Sequence, residues 1–353
     1  PIPGRGSAPM TDRFRDILGH LLGGGDLDSG AMRHSMTSIF ENLWTPAQTA
    51  GFLVALRIKG ESAREIADAA RVMREKVIPV EGPDPSSVVD VVGTGGDGMR
   101  TFNISTTAAF IAAAAGVRIA KHCNRALSGT SGSSDVLGAF GIDISGQSPQ
   151  DVSDSIGQVG IGFMFAPNHH VALRHAAPVR KELGVRTIFN VLGPLTNPAG
   201  ALRQMTGVFD EALVDVYAET LRDLGSERAL IVHGDGMDEI TPAGETVASE
   251  LAEDGSIRRF SIAPEDFGFG RRPLEELQVT SPEESRAMVE GVLEGEPGAC
   301  REAALMSAGA AVYVSGGAAG LREGAEKAAA AVDSGAAKRK FGEFLARFSG
   351  EAA

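Results

Sequence analysis

Apolar positions across residues 11–78 recur at helical spacing. Phe14, Ile17, Leu18, Leu21 and Leu22 fall at i, i+3, i+4, i+7 and i+8, one face of a helix, and Gly23-Gly24-Gly25 stops it. Met32, Ile39, Phe40, Leu43 and Trp44 predict a second helix. Thr45-Pro46-Ala47-Gln48 opens a third that ends near Gly60, with Thr as N-cap, Pro at the first helical position and Gln three residues past the cap. Ser62 with Glu65 forms another capping box and starts a fourth helix running to about Val77.

Pro79–Ser87 is a turn-rich linker, and beyond it the period changes. Val88–Val92, Val117–Ala120, Ile161–Phe165, Gln204–Phe209 and Ala229–His233 read as buried strands. Helices are expected over Thr106–Ala115, Ser134–Phe140 and Glu211–Leu224, and the Ala/Gly-rich stretch Ala303–Ala337 suits close helix packing. Strand alternating with helix predicts a mainly parallel sheet with helices on both faces. The chain is therefore expected to hold an N-terminal helical domain over 11–80 and a larger α/β domain over 86–345.

Charge and cysteine content narrow the function. A formal net charge of −13 opposes a nucleic-acid-binding role, which needs a basic face, but leaves room for a small anionic substrate held by local cations. Two cysteines, Cys123 and Cys300, cannot staple 353 residues and point to a reducing, cytoplasmic setting. The longest near-apolar run, Ala108–Val117, is too short to span a bilayer.

Three strand-end segments and one helix start carry candidate chemistry. Asp90-Val91-Val92-Gly93-Thr94-Gly95-Gly96-Asp97-Gly98 runs a strand into a glycine loop, where N–H groups approach an anion or simply make a tight turn. The string fits G-x-G-x-x-G, yet Met99–Phe102 intervene before any helix, and Asp97 would repel a bare pyrophosphate, which argues against a dinucleotide site. Asn103-Ile104-Ser105-Thr106-Thr107 opens a helix, as caps or as an anion site. Lys121–Asp135 sets cations, hydroxyls and glycines after a strand, which suits a phosphate-rich ligand. His233–Ile240 brings adjacent Asp238 and Glu239 to a strand end, a pair able to hold magnesium or merely to sit on a surface loop. Elsewhere, His169-His170 lacks partners at zinc spacing and reads as structural, while Arg180 could clamp a carboxylate or serve in a structural pair.

Taken in order, GTGGD, NIST, KHCNR–SG–SG–SD, VRKELGVRTIFNVLGPLTNP and HGDGMDEI strongly resemble anthranilate phosphoribosyltransferase, from about Phe14 to the C-terminal helices. The resemblance implies transfer of the 5-phosphoribosyl group of phosphoribosyl pyrophosphate (PRPP) to the amine of anthranilate, a step of tryptophan biosynthesis, with Mg2+ as cofactor. It implies a homodimer formed through the helical domain, which helices within about 168–200 would complete, and an acceptor site between the domains. PRPP would meet Gly93, Gly96, Asp97, Thr101, Asn103, Ile104, Ser105, Thr106, Lys121, His122, Cys123, Asn124, Arg125, Ala126, Leu127, Ser128, Gly129 and Ser133. Ser105, Asp238 and Glu239 would hold magnesium; Gly93, Asn124 and Arg180 would meet anthranilate, with His122 nearby; and Lys121, Asn124 and Arg180 would carry catalysis.

Two positions depart from the family pattern. Cys123 stands where Gly is usual, which would cost stability if that position needs positive φ, and its place beside cations and phosphate suggests a reactive thiol. Thr130 stands where several relatives carry Lys. Rival readings are a pyrimidine-nucleoside phosphorylase on the same architecture and a non-catalytic nucleic-acid-binding paralogue. The Asp238-Glu239 pair and the long segment from Arg186 to Pro198 weigh against the first, and the net charge of −13 against the second.

Overall fold

A computed structural model describes residues 10–125 and 132–348. The chain begins with α1 (Met10–Leu22), α2 (Ser29–Phe40), α3 (Pro46–Lys59) and α4 (Ala63–Glu75). Both capping boxes form: Thr45 Oγ1 accepts the Gln48 N–H at 3.2 Å while Gln48 Oε1 accepts the Thr45 N–H at 2.9 Å, and Ser62 with Glu65 does the same at 3.4 and 2.9 Å. Helix α2 stops at Phe40 instead of reaching Trp44. Asn42 takes a φ of 56° and turns the chain, so that Trp44 packs edge-on against Phe14 and Phe52 at 5.0 and 5.4 Å.

There follow β1 (Val88–Gly93), α5 (Ile104–Ala114), β2 (Arg118–Cys123), α6 (Ser133–Ala139), α7 (Pro149–Gln158), β3 (Ile161–Phe165) and α8 (Ala166–His169). Two short helices, α9 (Ala177–Leu183) and α10 (Phe189–Leu192), precede β4 (Arg203–Gly207), α11 (Leu213–Asp223), β5 (Arg228–Gly234), β6 (Thr246–Leu251) and β7 (Ile257–Ile262). The last stretch is helical: α12 (Pro264–Phe267), α13 (Pro282–Glu294), α14 (Ala299–Val314), α15 (Leu321–Asp333) and α16 (Ala336–Phe348).

The chain divides into two compact units. One is helical and takes the chain to Val77 together with His170–Thr196; the other takes Ile78–His169 and everything from Asn197. Within the helical unit Phe40 meets Phe189 at 6.1 Å, and Arg74 Nε donates to the Leu195 carbonyl at 2.7 Å.

The α/β unit is built on a seven-stranded sheet in the order β3-β2-β1-β4-β5-β6-β7. Its first five members are parallel and β6 and β7 antiparallel. Buried on both faces, the parallel strands are near-continuous apolar runs. Val89, Val91, Ile119, Phe163, Met205 and Leu230 join the core with α5 and α14, while Val88, Ala120 and Met164 meet Val152 and Ile156 of α7. The Ala/Gly stretch does pack helices closely: a Cβ on Gly309 of α14 would stand 2.5 Å from the Ala325 nitrogen of α15.

Candidate active site

Strands β2 and β3 lie to one side of β1, and β4 and β5 to the other, so the strand order reverses between β1 and β4. Loops leaving the carboxyl ends of strands at such a point diverge and leave a crevice for ligands. Three of the sequence's candidate segments leave from here.

The loop after β1 turns through Gly95, Gly96 and Gly98 at φ of 68°, 79° and 79°, a conformation L side chains resist. Thr94 pins its root, donating its N–H to the Gly207 carbonyl at 3.0 Å and accepting the Phe209 N–H on Oγ1 at 3.0 Å. The loop after β5 turns through Asp235, whose φ is 51° and whose Oδ2 accepts the Thr241 hydroxyl at 2.7 Å, and delivers Asp238 and Glu239.

These two loops meet. Asp238 Oδ2 accepts the Gly95 N–H at 2.6 Å, and the Asp238 N–H points to Asp97 Oδ2 at 3.4 Å. A Cβ on Gly93 would overlap the Asp238 carboxylate, and one on Gly207 would overlap its carbonyl. Both glycines are therefore required for the acid loop to rest on the ends of β1 and β4. Glu239 is buried and accepts from Ser307 of α14 at 3.5 Å. Burial, and then the charge of Asp97, raises the Asp238 carboxyl to about 7; burial, and then the charge of Asp238, pushes Glu239 up to about 8.

The third segment departs from the sequence expectation. Strand β2 does not end at Ala120 but continues through Lys121, His122 and Cys123, which pair with Phe163, Met164 and Phe165 of β3 and are buried. The Lys121 ammonium donates to the Val91 carbonyl and, at 3.1 Å, to Ser105 Oγ. Burial pulls its pKa below the usual lysine value, opposed first by Asp90 and also by Glu239 and Asp238. Lys121 is thus held in place by two hydrogen bonds, within electrostatic reach of the acid pair. Asn124 and Arg125 are exposed; Asn124 Oδ1 accepts the Arg125 N–H at 2.8 Å, and the Arg125 guanidinium lies 5.7 Å from the Phe165 ring centre. Ala126, Leu127, Ser128, Gly129 and Thr130 lie outside the described residues.

Cys123 corrects two expectations. It ends a regular strand and is absent from the positive-φ positions, so replacing Gly costs nothing in backbone strain there. Its thiol donates to the Met164 carbonyl at 3.5 Å, and burial pushes its pKa up to about 12, the reverse of a reactive thiol.

At the start of α5, Asn103 sits at the N-cap without a side-chain capping bond, so the capping alternative is not realised. Thr106 Oγ1 donates instead to Ser133 Oγ at the head of α6, at 2.9 Å, and Thr107 to the Asn103 carbonyl. Thr101 bridges to Gln278, the Asn103 N–H donates to Ser285 Oγ at 3.0 Å, and Ile104 is a core residue that could offer a ligand only its backbone. His169 is structural, its Nδ1 donating to the Ile78 carbonyl at 2.8 Å.

Arg180 belongs to the helical unit. Its guanidinium stacks over Phe189 at 5.3 Å, is half-buried, and is drawn below its usual pKa by desolvation. Among the described residues no carboxylate forms an ion pair with it.

The donor set fits a hard divalent cation. The charge of Asp97 helps hold the Asp238 pKa up and that of Asp238 the Glu239 pKa, repulsions that a bound cation would relieve, and Ser105 adds a hydroxyl oxygen. Among the described residues no group of three His, Cys, Asp or Glu side chains could hold an ion. A magnesium ion here would take most of its ligands from water and a substrate's phosphate oxygens, its usual habit.

Residues 85–338 match the glycosyl transferase family, a/b domain, and residues 15–77 match the glycosyl transferase family, helical bundle domain. The chain is 51% identical over 336 residues to the anthranilate phosphoribosyltransferase of Nitrosomonas europaea, covering 95% of this chain and 98% of the relative. The chain belongs to the anthranilate phosphoribosyltransferase family. The crystal structure of the anthranilate phosphoribosyltransferase from Thermus thermophilus is similar to it with a TM-score of 0.86 and 40% identity, over 95% of this chain and 99% of that one. The anthranilate phosphoribosyltransferase of Saccharomyces cerevisiae, in complex with PRPP and Mg, is similar with a TM-score of 0.87 and 29% identity, over 96% and 98%.

Of the residues implied by resemblance to anthranilate phosphoribosyltransferase, the α/β unit gathers the loop from Gly93 to Asp97, Ser105, Lys121, Asp238 and Glu239, with Thr106 joined to Ser133. Gly207 and Ser307 are not among the residues the sequence singles out, and Thr94 is named there only as part of its glycine loop. Gly207 had a signal, since a lone glycine inside a strand often marks a close backbone approach.

Proposed function

We propose that the protein transfers the 5-phosphoribosyl group of PRPP to the amine of anthranilate, giving N-(5-phosphoribosyl)anthranilate and pyrophosphate, in tryptophan biosynthesis. The observation that carries this is the meeting of the glycine loop, the buried Lys121 and the Asp238-Glu239 pair at one end of the sheet, where the strand order reverses. Loop N–H groups and Lys121 face the negative charge that develops as pyrophosphate leaves, and fixed groups there stabilise it without reorganising. Magnesium, when bound by Asp238, Glu239 and Ser105, supplies Lewis-acid stabilisation of that leaving group. The anthranilate amine is already nucleophilic, so no strong base is needed. Asn124 orients the acceptor, and Arg180 takes its carboxylate through a planar fork suited to bidentate binding.

The wider setting follows the same reading. Leu22, Leu43 and Ile58 of the helical unit, 72%, 47% and 79% exposed, support a homodimer through that unit. Free Cys123 and Cys300 support a cytoplasmic location, and no helix among the described residues is long and apolar enough to cross a membrane.

The test is anthranilate fluorescence followed with PRPP and magnesium, each omitted in turn. Asp238→Ala and Glu239→Ala should each lower the rate by roughly 10²-fold or more, the scale of losing one electrostatic stabiliser. Near-normal turnover of both variants at limiting magnesium would remove the acid pair from the chemistry. Phosphorolysis of thymidine in place of anthranilate consumption would favour the nucleoside phosphorylase.

A further inference from the structure

Strands β1 and β2 lie side by side as a parallel pair, but their backbone ladder is regular only at its start. Their ladder holds at Val88 with Arg118 and at Val89 with Ile119 and goes no further, although β1 stays paired with β4 to Gly93 and β2 with β3 to Cys123. An interrupted ladder inside a sheet leaves buried backbone groups that need other partners. Side chains supply them. Asp90 Oδ1 accepts the His122 N–H at 3.0 Å, and Asn197 Nδ2 donates both to Asp90 Oδ2 at 2.7 Å and to the Ala120 carbonyl at 2.8 Å. Asn197 is itself fixed, its Oδ1 accepting the Ala199 N–H at 2.9 Å. The Lys121 ammonium reaches across the same interrupted stretch to the Val91 carbonyl. Asp90 is 0% exposed and Asn197 7%. A carboxylate sealed inside a strand is a costly occupant where Val or Ile would serve, unless the spacing it sets is needed.

We propose that Asp90 and Asn197 are positioning residues for transfer: together they fix how far the carboxyl end of β2 stands from β1, and so where Lys121, His122 and Asn124 meet substrate. This rests on the phosphoribosyl-transfer reading. The pair touches the strand that bears those groups and acts through it.

Three variants of the full chain test it. Asp90→Asn sets amide against amide at Asn197, Asn197→Asp sets carboxylate against carboxylate, and the two exchanges together restore one donor facing one acceptor between the two side chains while leaving the Ala120 carbonyl without its donor. If Asn197→Asp fails to fold, Asn197→Ser takes its place. Steady-state kinetics are run with magnesium, well below the melting point of the least stable variant. Each single exchange is expected to lower kcat/KM for PRPP by about 10²-fold, the cost of a misplacement of about 1 Å, and the double exchange to regain roughly tenfold of that loss. Single variants that melt earlier yet keep wild-type kcat and KM make the pair a plain structural link and overturn the proposal. A double exchange that recovers melting temperature and none of the kinetics does the same. Calorimetric titration of PRPP with magnesium separates the two readings. A wild type that binds no PRPP refutes the transfer reading and this inference with it, whereas a wild type that binds, with single variants binding and turning over equally well, refutes the positioning role alone.

Discussion

A thiol reacts as its thiolate, and Cys123 has neither the acidity nor the exposure to form one readily. Native protein treated with iodoacetamide near pH 8 should leave Cys123 unmodified by mass spectrometry until denaturant is added; rapid native alkylation would contradict its burial. His169 gives a pH test. Burial lowers its pKa from 6.5, while its Nδ1 hydrogen bond to Ile78 opposes the shift. The folded state therefore takes up a proton less readily than the unfolded chain, so the stability held by the neutral ring is whole above about 6.5 and declines as pH falls through the window below it. His169→Asn, which keeps a donor for Ile78, should flatten the fall in Tm between pH 7 and pH 5. Parallel Tm curves for the variant and the wild type would sink this.

Among elements, the five parallel strands were readable because each is buried on both faces and so appears as a short apolar run. Strands β6 and β7 were not. Thr246–Leu251 and Ile257–Ile262 mix polar and charged residues with apolar ones, as half-covered antiparallel strands do, and neither makes a run. Helix α7 left a signal that went unread, the Ser148–Asp151 capping box with Pro149 at the first position. The candidate site was legible as motifs, but nothing in the sequence shows that β2 continues through Cys123, because that depends on pairing with β3, distant in the chain. Where β4 ends against the acid loop, the contact is backbone to backbone, and this yields an element-scale test. Gly207→Ala should displace the loop bearing Asp238 and Glu239, lowering stability by about 1–3 kcal/mol as overpacking does, and lowering activity with it. Unchanged Tm and turnover would mean that the loop does not rest there.

For the whole molecule, the exposed Leu22 and Ile58 offer a test of assembly. Leu22→Asp with Ile58→Asp should convert the proposed dimer to a monomer in sedimentation equilibrium, since charge in the centre of an apolar interface costs most of its affinity. An unaltered mass would remove this face from the proposed dimer.

The helical unit is written in two instalments, one ending at Val77 and the other spanning His170–Thr196. On the ribosome the first instalment emerges roughly ninety residues ahead of the second, a delay of roughly 5–20 s at ordinary elongation rates. Throughout that interval Phe40 has no Phe189 to lie against, and Arg74 no Leu195 carbonyl to bind. Those first helices must wait for their partners, and during the wait a nascent chain is most open to chaperones and to mispairing with its neighbours.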